Sequence, residues 1–282
     1  MRKLAIVYLM GGFGNQIFQY SFGKDLEKKG FKVYFDSSNY VTRKFENNTI
    51  PLDRELIFSP RFFEFEEVNN NIRNLLSVFN GKKISESTYS PIRFFNDKNY
   101  EIINARLLNK YTGYWQNIEL VERHKNFIIE RLSNDKLLKE SFSKSPESGS
   151  CLLHIRRGDY LATKEALTIN FYQEALEELS NKIENFNYSI YTDDYEWAKK
   201  QKIFFDANKI KKSTSSIKDT IQDFAEMITF ENFLVGNSTF PLIASILGST
   251  SKSLIAVADP WFRNSHKNFG FRDNWIKVTN KI

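Results

Sequence analysis

The sequence predicts an α/β protein built from two open parallel sheets, and three observations carry that prediction. Short apolar runs alternate with stretches of helical spacing, a glycine loop joins the first such strand to the first such helix, and a polar stretch near the middle divides the alternation. The domains expected from that division are residues 1–140 and 141–282.

The opening reads as strand, loop, helix and strand. Leu4 to Met10 is apolar and partly β-branched, Gly11 to Gly14 is the loop, and Ile17 to Lys29 repeats Phe18, Phe22 and Leu26 at every fourth position. Gly30 ends this helix and Lys32 to Phe35 is a second strand, which completes a βαβ unit. From about Val41 to Asp97 the sequence is rich in Asn and aromatics without a clear period, and reads as irregular helices and loops. Glu119 to Leu132 has helical spacing. Lys139 to Ser150, rich in Ser and Lys with a Pro and a Gly, marks the boundary.

Beyond it the alternation is cleaner. Strands are expected at Cys151 to Ile155, Tyr188 to Tyr191, Ile203 to Phe205, Phe233 to Val235 and Leu254 to Ala258. Helices are expected at Phe171 to Ile183, Tyr195 to Lys200, Ile217 to Thr229 and Phe240 to Leu247. Open parallel sheets bind ligands beyond the carboxyl ends of their strands, so the residues that follow each strand are where chemistry is sought.

The chain's 282 residues suffice for two domains, each with its own core. A net charge of +6 permits a nucleic acid, an anionic membrane surface or a polyanionic substrate as partner, or simply a solvated surface rich in Lys. The sequence holds no basic run of the kind found in nucleic-acid-binding arms, so no nucleic-acid partner is expected. One cysteine, Cys151, cannot form an intrachain disulfide, which fits a reducing, cytoplasmic setting. The apolar run at the start is too short to span a bilayer and lacks a signal-peptide cleavage pattern. No run of eighteen apolar residues occurs, so at most a peripheral membrane contact is expected.

Four strand ends carry the candidate chemistry. Gly11-Gly12-Phe13-Gly14-Asn15-Gln16 could bring backbone amides close to an anion at a helix start, or be no more than a tight turn. A dinucleotide fingerprint competes, since Asp36 ends the second strand, but Ile17 stands where the third glycine belongs. His154-Ile155-Arg156-Arg157-Gly158-Asp159-Tyr160 is the sharpest segment. Two arginines at the end of an apolar strand need an anionic partner, and a guanidinium can hold two phosphate oxygens at once. Strand alternation sends Arg156 and Arg157 in opposite directions, so one could meet ligand while the other pairs with Asp159 or another acid. Thr192-Asp193-Asp194 could accept from the N1 and N2 donors of guanine, or cap a helix; adjacent acids make a poor chelate, so no metal is expected. Asn237-Ser238-Thr239-Phe240-Pro241 offers hydroxyls and free amides at a helix start, which suits phosphate or an ordinary cap. Three of the four lie in the second half. Together they suggest a nucleotide-diphosphate site there, with the first-domain glycine loop closing over it.

The two segments Gly-Gly-x-Gly-Asn-Gln-x-Phe-Gln-Tyr at Gly11 to Tyr20 and His-x-Arg-Arg-Gly-Asp-Tyr at His154 to Tyr160 give the chain a specific likeness. It resembles the α-1,2-fucosyltransferases of glycosyltransferase family 11, from Gly11 to about Trp261. The resemblance implies a GT-B fold of two Rossmann-like domains with a cleft between them, GDP-fucose in the second domain and a galactose-containing oligosaccharide acceptor toward the first. It implies that Arg156 holds the β-phosphate of the leaving GDP and that His154 meets the nucleoside or ribose. On the same reading Asp194 meets the guanine edge, and Ser238, Thr239 and Phe240 line the pyrophosphate. Gly12 and Asn15 approach the sugar-phosphate from the first domain, Arg157 stands beside the donor, and Asp159 is a candidate base or a structural partner of Arg157. Transfer would invert the anomeric centre with no metal or other cofactor. Family members commonly follow Ser-Thr-Phe with Ser and a Trp pair; Pro241-Leu242-Ile243 stands here instead, which bears on the acceptor.

Overall fold

The computed structural model describes residues 3–41, 66–68, 82–85, 108–214, 216–263 and 270–280. The chain forms two compact units, Met1–Leu132 and Ser133–Ile282. Most of the stretch from Val41 to Asp97, expected to be irregular, lies outside the described residues.

The first unit is built on a four-stranded parallel sheet in the order β2-β1-β4-β3. Its strands are β1 (Leu4–Tyr8), β2 (Lys32–Asp36), β3 (Lys82–Ser85) and β4 (Leu108–Thr112). Ala5, Ile6 and Val7 of β1 are fully buried, as expected for a central strand covered on both faces. Helix α1 (Phe13–Lys28) follows the glycine loop and is buried from Phe13 through Gly23, polar residues included. A helix enclosed on this scale has little amphipathic contrast, which is why its first turn escapes periodicity. A short helix α2 (Ser38–Val41) follows β2. The helix expected from Glu119 to Leu132 is two, α3 (Ile118–Arg123) and α4 (Lys125–Leu132), because His124 leaves the helical backbone at φ −109° and ψ 8°.

The second unit carries a six-stranded sheet, again all parallel, in the order β10-β9-β8-β5-β6-β7. The strands are β5 (Glu147–Ile155), β6 (Asn187–Thr192), β7 (Lys209–Lys212), β8 (Phe230–Gly236), β9 (Ile255–Asp259) and β10 (Ile276–Thr279). Central β5 is buried from Gly149 to Ile155, and its Cys151, Leu153 and Ile155 pack with Phe171, Tyr172, Ile190 and Leu234. The helices are α5 (Lys136–Phe142), α6 (Gly158–Ala162), α7 (Ile169–Ser180), α8 (Tyr195–Lys200), α9 (Ile217–Met227) and α10 (Thr239–Gly248).

Two sequence expectations change here. The polar stretch Lys139 to Ser150 is the end of α5 and the start of β5, and the chain divides earlier, after Leu132. Asp135 starts α5 by accepting from the amides of Leu137 and Leu138 at 3.0 and 3.3 Å, so this polar sequence is capped helix. The strand expected at Ile203 to Phe205 is a single 3₁₀ turn, Lys202–Phe204, and the strand of that region is β7, whose alternation is carried by lysines.

Candidate active site

Strand β5 ends at Ile155 and the chain turns at once into α6, which sets His154 through Tyr160 at the carboxyl end of the second sheet. Both arginines of this turn are paired. Arg156 donates through Nε to Asp159 Oδ1 at 2.8 Å, and its Nη1 stands 3.0 Å from Asp193 Oδ2. Arg157 donates through Nε to Asp194 Oδ2 at 3.1 Å and lies flat over Trp197, 3.8 Å from the ring centre. Asp159 thus serves Arg156 and not Arg157 as the sequence suggested, and both arginines lie beyond the end of β5, paired with the neighbouring acids Asp193 and Asp194. Arg156 is the more open of the two, its side chain 29% exposed against 15% for Arg157.

Asp193 organises the turn. Its Oδ1 accepts from the Arg157 amide at 2.8 Å and its Oδ2 from the Gly158 amide at 3.2 Å, besides facing Arg156. A side chain at residue 158 would press on it, since a Cβ there stands 3.0 Å from Asp193 Oδ2. Asp194 has both oxygens engaged. Oδ2 meets Arg157, and Oδ1 caps α8 by accepting from the Trp197 amide at 3.2 Å. Capping was one of the two readings open for this pair, and it describes Asp194.

His154 is buried, and its Nδ1 has no hydrogen-bond partner. Burial, with the Arg156 charge adding to it, lowers its pKa to about 3, so the imidazole is neutral near pH 7. Its ring meets Phe240 edge-on at 6.4 Å, and Phe240 meets Phe224 at 5.8 Å. Beside Phe224 on α9 is Asp223, to which the sequence reading gave no role. Asp223 is 2% exposed; Oδ1 pairs with Lys211 Nζ at 2.9 Å, while buried Oδ2 has no partner. An acid beside an apolar aromatic on a helix reads in sequence as a surface residue, and nothing in the spacing marks it otherwise.

Ser238 is the N-cap of α10 and its hydroxyl makes no capping bond; Thr239 and Phe240 are half-buried in the first turn. Pro241 occupies that turn, where its missing amide costs no helix bond. Before them, Gly236 takes φ +66° to end β8, and Asn237 donates to the Glu165 carbonyl at 2.8 Å. The Tyr160 hydroxyl donates to the Asn237 carbonyl at 3.2 Å, so the turn after β5 and the turn after β8 are tied together. His154, Arg156, Asp193, Asp194, Ser238, Thr239 and Phe240 thus come from the ends of β5, β6 and β8, three adjacent strands.

The glycine loop belongs to the first unit. Gly11 has φ +79°, a backbone that side-chain-bearing residues rarely adopt, and a Cβ there would stand 2.6 Å from Asn15 Nδ2. Gly12 is the N-cap of α1. Asn15 is buried and accepts from Gln116 Nε2 at 2.8 Å; Gln16 and Tyr40 both donate to the Gly11 carbonyl, at 3.1 and 2.7 Å. Much of this motif's polar chemistry holds the loop itself in shape. Among the described residues no group of three or more His, Cys, Asp and Glu could hold a metal ion.

Alpha-1,2-colitosyltransferase of Escherichia coli is 24% identical over 306 aligned positions, covering 98% of this chain and 99% of that one. O-antigen biosynthesis glycosyltransferase WbnK, also of Escherichia coli, is 26% identical over 306 positions, covering 96% and 99%. Among solved structures, the fucosyltransferase NodZ from Bradyrhizobium aligns over 88% of this chain and 93% of its own, at 16% identity and a TM-score of 0.46. The sequence profile of Glycosyl transferase family 11 matches residues 2–279. The chain is a member of glycosyltransferase family 11.

Proposed function

We propose that this glycosyltransferase moves L-fucose from GDP-β-L-fucose to the 2-hydroxyl of a terminal galactose in an oligosaccharide, with inversion at the anomeric carbon. The observation that carries the reading is Arg156. It is a partly open guanidinium at the end of the central strand, aimed by two carboxylates, inside a full-length match to a family of sugar transferases.

In the proposed reaction the acceptor hydroxyl oxygen attacks C1 of fucose as the bond to the β-phosphate oxygen breaks, and the hydroxyl proton passes to solvent water. Negative charge then gathers on the departing GDP. A guanidinium already oriented by Asp159 and Asp193 meets that charge without having to reorganise, which lowers the barrier. Asp159 acts here as a positioning residue for Arg156, since its Oδ1 already accepts from that side chain. Ser238 and the amino terminus of α10 suit the diphosphate. Arg157, held on Trp197 by Asp194, supports the turn from behind.

For the nucleoside, the polar atoms that lack partners are the guide, because a buried donor or acceptor left unpaired is costly until something meets it. His154 Nδ1 and Asp223 Oδ2 are two such atoms, linked through Phe240 and Phe224. We assign the guanine-edge role to Asp223 in place of Asp194, whose two oxygens already serve Arg157 and the α8 cap. No metal enters the proposal, and the proposed setting is cytoplasmic.

A second reading keeps the same machinery and changes the sugar. The relative named alpha-1,2-colitosyltransferase favours a colitosyl donor, which lacks one hydroxyl of fucose. Assaying GDP-fucose and GDP-colitose side by side against β-galactosides decides between them. Transfer of fucose to the galactose 2-hydroxyl supports the first reading; transfer of colitose alone replaces it, and transfer from neither refutes both.

A further inference from the structure

Residues 195–212 hold six lysines against two acids, Glu196 and Asp206, so this short stretch carries four of the chain's net six positive charges. It folds as α8, the 3₁₀ turn and the edge strand β7, which lie against one another at one margin of the second sheet. Two of the lysines are neutralised: Lys209 pairs with Glu226 at 2.8 Å, and Lys211 with Glu226 and Asp223 at 2.6 and 2.9 Å. Lys199, Lys200, Lys202 and Lys212 are exposed and make no ion pair among the described residues.

Phe205 stands among them and is 68% exposed, the most open large apolar side chain among the described residues. Its exposure is imposed by the fold. Phe204 is buried against Tyr172 and Trp197, the Tyr188 hydroxyl donates to the Ile203 carbonyl at 3.0 Å, and the Asn208 amide donates to the Tyr188 carbonyl at 2.9 Å. With both flanks pinned and its neighbour facing in, Phe205 can only face out. These bonds go to Tyr188 near the start of β6, so Phe205 and Lys202 lie toward the amino ends of the strands, away from Arg156 and Asp193, while Lys199 and Lys200 close α8 between the two ends.

We infer that this margin is a docking surface for an anionic lipid bilayer, with Phe205 entering the interfacial layer and Lys199, Lys200 and Lys202 facing the headgroups. All the cations are lysines, point charges suited to a diffuse negative surface; the arginine forks that grip a single phosphate or a nucleic-acid backbone are absent from the stretch. An outward aromatic in a lysine-rich stretch adds an apolar term that a purely polyanionic partner would not use. The carboxyl ends of the strands, with the candidate site, would face away from the membrane plane. This inference does not depend on which sugar or acceptor the enzyme uses.

The test is sedimentation of the full chain with vesicles of phosphatidylcholine alone and with a third phosphatidylglycerol. The expected result is binding to the anionic vesicles at least tenfold tighter than to the neutral ones, weakening as salt is raised. Phe205→Ser and the pair Lys199→Glu with Lys200→Glu should each lower that binding about tenfold. GDP affinity should stay unchanged, since none of these side chains belongs to the candidate site; Phe205→Ser should melt like the wild type, and the lysine pair, at the C-terminus of α8, should melt only a few degrees lower. Equal binding to both vesicles, or variants that bind like the wild type, overturns the proposal. So does a wild type that ignores anionic vesicles yet binds heparin equally with and without Phe205, which would make the surface a polyanion site.

Discussion

Replacing Arg156 by alanine should separate turnover from folding. The side chain bridges Asp159 and Asp193 at 2.8 and 3.0 Å and is 29% exposed, so its removal leaves carboxylates that are themselves only partly buried. Asp193 keeps the Arg157 and Gly158 amides as donors, at 2.8 and 3.2 Å. Stability should fall by about 1–3 kcal/mol, the usual worth of a hydrogen bond to a charged group. That lowers the melting point by several degrees and leaves the variant folded at 25 °C. Turnover should fall on the order of a hundredfold or more, the loss seen when one preorganised charge-stabilising donor is removed. Arg156→Lys should recover part of the stability and little of the rate, because an ammonium cannot face two carboxylates and two phosphate oxygens at once. The assay is steady-state transfer from GDP-fucose beside a thermal melt. An alanine variant that melts lower yet turns over normally would falsify the phosphate role.

Three further outcomes follow from the same geometry. Asp223→Asn should weaken GDP binding by about tenfold or more in calorimetry, as for loss of a charged hydrogen-bond acceptor, whereas Asp194→Asn should chiefly cost stability. The reverse pattern would return the guanine edge to Asp194. Acid should destabilise the second unit: folded His154 protonates only near pH 3 while the unfolded residue takes its proton near 6.5. Between those values the unfolded state binds the extra proton, so stability drops as pH falls, by about 1.4 kcal/mol per pH unit from this group. Urea unfolding at several pH values should show that slope, and His154→Gln should flatten it; an unchanged slope would place the proton elsewhere. Finally, EDTA should leave transfer largely intact, and activity lost to EDTA and restored by a divalent ion would overturn the metal-free mechanism.

How much of this was legible in the sequence depended on how each element is buried. Helix α8 was read with its observed bounds because Asp194 precedes it and lysines close it, the charge order a helix dipole favours. Strands β5, β6, β8 and β9 announced themselves as apolar runs because both faces of a parallel sheet are covered. Edge strand β7 did not. Its Lys209, Lys211 and Lys212 leave Ile210 as the only apolar signal, and the more apolar Ile203 to Phe205 nearby drew the assignment to itself. That triplet is apolar because Phe204 faces the core, while Phe205 faces solvent. The site was legible where function leaves unusual residues in an apolar setting, as in the double arginine after β5. It was illegible where the signal is a pairing across the fold: which acid serves which arginine, or that Asp223 is buried with one oxygen unmet. Pairings of that kind join residues far apart in the chain, such as Arg157 with Asp194 and Lys211 with Asp223, and no local spacing encodes them.

Calorimetric binding of GDP beside GMP, UDP, CDP and NAD, in the absence of metal, bears most directly on the proposed donor. GDP should bind selectively and much more tightly than GMP, because Arg156 and the start of α10 would meet the second phosphate. Arg156→Ala should lose most of that preference. Equal affinity for GDP and GMP, or a preference for UDP or NAD, would refute the GDP-sugar donor and the assignments of Arg156, His154 and Asp223 with it.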